Sequence, residues 1–282
     1  MLQDIAPQIY HNEFYIKMPQ AQDYFFYIKD GKSLLCTDAE NFPFASFADF
    51  DSVQPDIYSH ADFLFSIDEK DFYLLDEREI NLPEMNGFAF APSTIFRTLS
   101  PAWTGFAGVT GMQLHRFYRS RTYCGRCGHR MEKKQDERAM LCPVCHNVEY
   151  PKISPGIIVA VTNGERILLT KYAHRTNPHY ALIAGFNEIG ETLEETVHRE
   201  VMEEVGLRVK NLHYYKNQPW SFSDSLLVGF FAELDGSPDI HRDASELATA
   251  EWCLRSDIPD NTLDISLTHE MIHLFQKGGE PR

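Results

Sequence analysis

Gly185-Phe186-Asn187-Glu188-Ile189-Gly190-Glu191-Thr192-Leu193-Glu194-Glu195-Thr196-Val197-His198-Arg199-Glu200-Val201-Met202-Glu203-Glu204-Val205-Gly206-Leu207 is the stretch from which the rest of the chain can be read. Thr192 with Glu195 three residues on is a capping box, and Gly206 supplies a C-terminal stop, so the pattern predicts a helix over about 192–205. At about 100° per residue, Leu193, Val197, Val201 and Val205 form an apolar stripe. Glu200 and Glu204 lie about 20° to either side of it, and Glu203 about 80° away. A stripe that begins apolar therefore continues as acid. Buried carboxylates are costly without compensation, and a divalent cation supplies it. A solvated acidic face held by Arg199, four residues from both Glu195 and Glu203, accounts for those two acids but not for Glu200 and Glu204.

Working outward, Gly156 to Val161 and Arg166 to Lys171 read as strands joined through the hairpin signal Asn163-Gly164. Tyr180 to Ala184, Leu207 to Lys216 and Ser225 to Leu234 read as further strands, and Leu263 to Gln276 as a closing helix stopped by Gly278-Gly279. Strands with one helix in the middle and one at the end predict an α/β/α sandwich around a mixed sheet over 153–282. Residues 1–115 read as a β-rich α+β domain, with a hairpin at Asp30-Gly31, a strand at Phe72 to Leu75 and no catalytic spacing. A short helix is expected from Gly111 to Arg121.

Between these regions, over 116–152, Cys124-x-x-Cys127 and Cys142-x-x-Cys145 stand 14 residues apart. Each turn aims two sulfurs at one point, and two turns complete a tetrahedron of thiolates, the pattern of a zinc ribbon. With no open position for water, such a zinc is structural. His129 and His146 read as bystanders, and Cys36 and Cys253 as buried apolar residues.

Composition narrows the function. Of 282 residues, 43% are hydrophobic and 24% charged, the balance of a globular protein. Lys plus Arg number 26 against 41 Asp plus Glu, a net charge of -15. That field opposes tight, sequence-blind binding of nucleic acid, and Arg126, Arg130, Lys133 and Lys134 offset it only locally. No apolar run approaches the ~18–20 residues of a spanning helix, and Met1 to Ile5 opens no leader pattern. A soluble cytoplasmic protein with no membrane partner is expected.

The Gly185–Leu207 stretch also fits the box G-x5-E-x7-R-E-U-x-E-E-x-G-U (U aliphatic) through Gly185, Glu191, Arg199, Glu200, Val201, Glu203, Glu204, Gly206 and Leu207. The chain thus resembles the Nudix hydrolases, which cleave a nucleoside diphosphate linked to another moiety. The zinc ribbon ahead of the box, and Asn217-Gln218-Pro219-Trp220-Ser221-Phe222-Ser223-Asp224-Ser225 after it, resemble the NADH pyrophosphatases of the NudC type, whose motif is S-Q-P-W-P-F-P-x-S. The resemblance is close after residue 117 and loose before 95.

It implies hydrolysis of NADH or NAD to AMP and nicotinamide mononucleotide, removal of NAD caps from RNA 5′ ends, a homodimer, and two kinds of metal. Structural Zn²⁺ falls on Cys124, Cys127, Cys142 and Cys145. Catalytic Mg²⁺ or Mn²⁺ falls on Glu200, Glu204, the carbonyl of Ala184 and a later glutamate placed at Glu246. Glu203 is the first candidate for general base, with Arg199 orienting the carboxylates. Phe186 and Tyr150 are expected to contact substrate as stacking aromatics, residues Gln218 to Ser225 to line the nucleotide, and Arg97 to meet a phosphate.

Asn217, Ser221 and Ser223 depart from a serine and two prolines, loosening that loop, and Thr268 stands where an alanine is expected. These departures bear on the choice among dinucleotides. An ADP-ribose or diadenosine polyphosphate hydrolase, a non-hydrolysing NAD or ADP-ribose sensor, and a nucleic-acid-binding zinc-ribbon protein with an inert Nudix fold are the competing readings.

Overall fold

The computed structural model describes all residues except 39–41, 174–178, 260–264 and 282. It divides into two compact units, one of Leu2–Lys152 and one of Ile153–Arg282 joined by Met1. Among the described residues no helix is long and apolar enough to cross a membrane.

The first unit carries strands β1 (Tyr10–His11), β2 (Tyr24–Lys29), β3 (Lys32–Cys36), β4 (Ala45–Ser46), β5 (Ala61–Ile67), β6 (Lys70–Leu75) and β7 (Phe88–Pro92). They form one sheet in the order β1-β5-β6-β2-β3-β7, with β4 on β2. Asp30-Gly31 closes the β2–β3 hairpin as expected, with both residues at positive φ. A short helix α1 (Phe47–Phe50) and a long helix α2 (Ala102–Ser120) complete this part.

Helix α2 begins nine residues before the expected Gly111 and runs unbroken across position 115 into the zinc ribbon. Its glycines hide it from a propensity reading, since each weakens a helix. They are required by close approach: a Cβ on Gly108 would stand 2.2 Å from the Phe96 ring, and one on Gly111 2.5 Å from Phe26. The ribbon itself is a three-stranded sheet of β8 (Glu132–Lys133), β9 (Met140–Leu141) and β10 (Val148–Glu149). Cys36 and Cys253 are both partly exposed, not buried as their apolar character suggests.

The second unit holds β11 (Ser154–Asn163), β12 (Arg166–Tyr172), β13 (Ile183–Phe186), helix α3 (Leu193–Val205), β14 (Val209–Trp220), β15 (Ser225–Leu234), β16 (Leu247–Leu254) and helix α4 (Leu267–Gln276). The strand order is β14-β15-β11-β12-β16, with β13 also on β11. Only the β11–β15 pair is parallel, so the sheet is mixed.

Strand β11 has both faces covered. Ile157, Val159 and Val161 pack with Val197, Val201 and Val205 of α3, while Ile158 and Ala160 pack with Leu267, Met271 and Phe275 of α4. Period-two alternation between two buried faces gives the unbroken apolar run seen in sequence. The sandwich is the expected one.

Several boundaries differ from expectation. The strand expected at Tyr180 to Ala184 starts at Ile183, and Ala181 makes only an isolated bridge to Thr170. The closing helix starts at Leu267 behind its cap Ser266, and its expected start at Leu263 lies outside the described residues. Strand β14 continues to Trp220, absorbing half of the stretch read as a loop. Pro219 is accommodated because β14 is an edge strand.

Candidate active site

Helix α3 starts where its capping box places it: the Glu195 N–H donates to Thr192 Oγ1 (3.2 Å), and the Thr192 N–H to Glu195 Oε2 (2.7 Å). Gly206, left-handed at φ 68°, ends it. Its valines are fully buried, and the core-facing acids go in with them: Glu200 is 9% exposed and Glu204 3%. Glu203 remains exposed.

Arg199 organises the acids: of the two pairings expected from spacing, that with Glu203 forms, while Glu195 is occupied by the cap. Its Nε donates to Glu191 Oε1 (2.6 Å), Nη1 to Glu200 Oε1 (2.7 Å) and Glu203 Oε2 (3.1 Å), and Nη2 to Glu191 Oε2 (3.0 Å) and the Phe186 carbonyl (2.9 Å). These bonds to Arg199 pull the Glu191 carboxyl down to about 2. Glu191 also accepts from the Glu188 N–H and Thr196 Oγ1, and Asn187 Nδ2 donates to Thr196 Oγ1 and the Glu191 carbonyl. The loop between β13 and α3 is thereby fastened to the helix at both ends.

The two buried glutamates differ. Burial raises Glu200, with Arg199 opposing the shift. Burial raises Glu204 to about 8, and the charges of Glu200 and Glu246 add to the effect, while a hydrogen bond from the Ala184 backbone opposes it. Glu204 Oε2 is buried without a hydrogen-bond partner. The Ala184 N–H and carbonyl emerge on the same side of β13, because the two groups of one antiparallel residue point the same way. Gly185 leaves room for the neighbouring acid: a Cβ there would stand 1.9 Å from the Glu200 carboxyl carbon.

Glu246 is exposed in the turn before β16, its carbonyl accepting from the Ala173 N–H (2.8 Å). Asp243, which the sequence reading missed, donates its N–H to the Glu204 carbonyl (2.8 Å), and its charge also bears on Glu204. Nothing in its spacing distinguishes it from the solvated acids around it.

The nucleotide motif is the tip of the β14–β15 hairpin. Gln218 is fully buried, its Nε2 donating to the Ile265 carbonyl (2.9 Å) and its Oε1 accepting from the Leu267 N–H (2.7 Å), so its side chain anchors helix α4, on which half-buried Thr268 sits. Trp220 and Phe222 pack at 5.0 Å between ring centroids. Pro219 is exposed and Ser221 buried. The turn through Asp224 is closed by the Ser223 N–H on the Trp220 carbonyl (3.2 Å) and by Ser225 Oγ on the Ser223 carbonyl (3.1 Å). The Ser223 N–H used here is a donor that the motif's proline would lack.

Ser154 pairs with Ser225, and Gly156 pairs with both Phe186 and Leu227. The motif tip and Phe186 therefore share one end of the sheet, two strand spacings or about 10 Å apart. Phe186 is 55% exposed, which removes core packing as its explanation. Tyr150, 57% exposed and donating its hydroxyl to Glu137 (3.2 Å), and Arg97, exposed at the end of the turn Ser93–Arg97, belong to the other compact unit.

In the ribbon the four cysteine sulfurs lie within 4.8 Å of one another. Their shortest separations are 3.4 and 3.5 Å, near the edge of about 3.8 Å for a tetrahedral zinc tetrathiolate. Backbone N–H groups of Cys145 and Val144 pull the Cys142 thiol down to about 6. Among the described residues these four are the one set of three or more such ligand atoms closed to this spacing; Glu200, Glu204 and Glu246 stand further apart.

Residues 152–275 match the NUDIX domain family, and residues 119–150 the NADH pyrophosphatase zinc ribbon domain. The chain is 50% identical over 149 residues to the NAD-capped RNA hydrolase NudC of Escherichia coli, and equally to that of Shigella boydii, over 53% of this chain and 58% of each relative. It thus spans a little over half the length of the curated relatives it matches. Among solved structures, a NUDIX hydrolase from Nitrosomonas europaea aligns with a TM-score of 0.49 at 22% identity, over 57% of this chain and 94% of that one. The four cysteines form the structural zinc site, and Nudix hydrolases use Mg²⁺ or Mn²⁺. Residues 152–275 are thus a NUDIX domain, and an NADH pyrophosphatase zinc ribbon domain precedes it over 119–150.

Proposed function

We propose that the chain hydrolyses the pyrophosphate of NADH or NAD to AMP and nicotinamide mononucleotide, and cleaves the same bond in RNA carrying an NAD cap, as a cytoplasmic homodimer. One observation carries the diphosphate chemistry: Glu204, buried to 3%, keeps an unpartnered carboxylate oxygen beside buried Glu200. An orphaned carboxylate in that setting is the donor set of a hard cation with oxygen ligands. The Ala184 carbonyl, Glu200, Glu204 and Glu246 would hold Mg²⁺ or Mn²⁺. When bound, that ion supplies charge neutralisation on the diphosphate and a lowered pKa for the attacking water.

The chain's own residues do the rest. Exposed Glu203, oriented by Arg199 at 3.1 Å, is the base that takes the water's proton. Arg199 and Glu191 hold the acids in register. Phe186 offers a face for a nicotinamide or adenine ring. The hairpin tip from Gln218 to Ser225, with Thr268 on the helix that Gln218 anchors, lines the nucleotide.

Serines at 221 and 223 favour a second reading within the same chemistry, hydrolysis of ADP-ribose or a diadenosine polyphosphate. Comparing kcat/KM across NADH, NAD, ADP-ribose and NAD-capped RNA with Mn²⁺ decides between them. Binding of these ligands without release of AMP refutes hydrolysis and makes the protein a sensor.

A further inference from the structure

The tip of the zinc ribbon is a surface that the hydrolysis leaves unused. Tyr123 bridges to Arg130 across the first knuckle, and the Cys124 N–H donates to the His129 carbonyl (2.8 Å). The sulfur contacts bring the second knuckle against the first. In the turns Cys-Gly-Arg-Cys and Cys-Pro-Val-Cys, Arg126 and Val144 occupy the same place, just before the second sulfur. Tyr123 is 66% exposed and Val144 55%. Arg126, His129, Arg130 and His146 are exposed with them.

Five other cations of the ribbon are engaged. Arg119 pairs with Glu77, Arg121 with Glu149, Lys133 with Asp62, and Lys134 with Asp136 and Glu137, while Arg138 donates to the Leu64 carbonyl. Arg126 and Arg130 make no ion pair among the described residues. In a chain of net charge -15, this tip gathers two uncommitted guanidinium groups with an exposed aromatic ring and an exposed aliphatic side chain.

Phosphates answer the arginines, and an unstacked base answers the ring. A duplex hides its base faces and would meet the acidic remainder of the chain over a larger area, so the match is to a single strand. We propose that the knuckle tip binds single-stranded RNA, seating a base on Tyr123 and phosphates on Arg126 and Arg130. The inference rests on NAD-capped RNA being a substrate, since the RNA behind the cap is the occupant. A bland role competes: the same arginines would screen a doubly negative zinc tetrathiolate.

The test uses the full-length, zinc-loaded protein and a labelled 5′-hydroxyl single-stranded RNA, read by fluorescence anisotropy over a salt series. The wild type is expected to bind. The double variant Arg126→Ala, Arg130→Ala should weaken binding about tenfold at low salt and reduce the log–log salt slope by about 1.4, the value for two lost phosphate contacts on a single strand. Tyr123→Ala should weaken binding roughly fivefold or more, and Tyr123→Phe should restore it. No binding by the wild type, unchanged affinity in these variants, or equal binding of duplex RNA overturns the proposal. So does a loss of binding that tracks loss of zinc, which assigns the arginines to screening. NADH turnover, expected to be unchanged in every variant, is measured in the same samples. Because the probe carries no cap, failure of the hydrolase reading leaves this result independent.

Discussion

Gly185→Ala separates the catalytic geometry from the fold more cleanly than removing any glutamate. Gly185 lies in a regular strand, paired with Ile157, and its φ is not positive, so alanine meets no backbone penalty. Loss of glycine freedom in the unfolded chain even favours the variant by roughly 0.4–1 kcal/mol. The new methyl group, however, would stand 1.9 Å from the Glu200 carboxyl carbon and 2.0 and 2.4 Å from its oxygens. Ordinary contact begins near 3.4 Å, so the carboxylate must retreat by about 1.0 to 1.5 Å. It can do so, being the end of a flexible side chain, but it then leaves the place where it would meet a cation. A displacement of that size costs on the order of 100-fold in rate, or about 2.7 kcal/mol. The assay is kcat/KM for NADH with Mn²⁺, alongside a thermal melt. Activity should fall by about that factor while Tm stays within a few degrees. A well-folded variant keeping half or more of the wild-type kcat/KM would refute the role given to Glu200.

The remaining predictions concern acid, zinc and anchor. Glu204→Gln should abolish hydrolysis yet stabilise the metal-free protein: with a folded pKa of about 8 against 4.5, the wild type takes up a proton on folding. Its stability therefore falls as pH rises through that window, and the variant's advantage in unfolding free energy, read from melts across pH, should grow over the same range to about several kcal/mol; a pH-independent difference contradicts this. Stripping zinc from the four cysteines should lower Tm markedly, because metal binding to such a site is folding free energy, and an unchanged melt would count against a structural role. Gln218→Ala leaves the Leu267 N–H and Ile265 carbonyl short of a buried partner and should cost about 1–3 kcal/mol with a raised KM; a thermal melt and a substrate titration check both.

What was legible in the sequence had short-range causes. The capping box and the left-handed Gly206 fix both ends of α3 by local hydrogen bonding, and the alternation of β11 is written in consecutive residues. The inward azimuth of Glu200 and Glu204 followed from helix geometry alone. What escaped depends on contacts distant in sequence. The first nine residues of α2 carry Gly105 and Gly108, which let Phe96 pack against the helix, a contact no local propensity records. The anchoring of α4 by Gln218 is another such contact: its amide spans to residues 265 and 267, far along the chain. Asp243 enters through a backbone bond to Glu204, a relation that spacing does not encode.

The balance of charge around Arg199 explains why only one acid is left wanting. Glu191, Glu200 and Glu203 all accept from this guanidinium, and Phe186 takes a further donor, so the arginine's hydrogen-bonding capacity is spent on that side of the helix. Glu204, one turn beyond Glu200, is out of its reach and faces Glu200 and Glu246, both of its own sign. A fold selected for stability alone would place another valine there, as it does at 197, 201 and 205. Retaining a carboxylate where burial and two neighbours oppose its charge makes sense only if something positive enters when the site works. Because Arg199 is committed elsewhere, on the proposed reading a divalent cation arriving with the diphosphate would supply that positive charge.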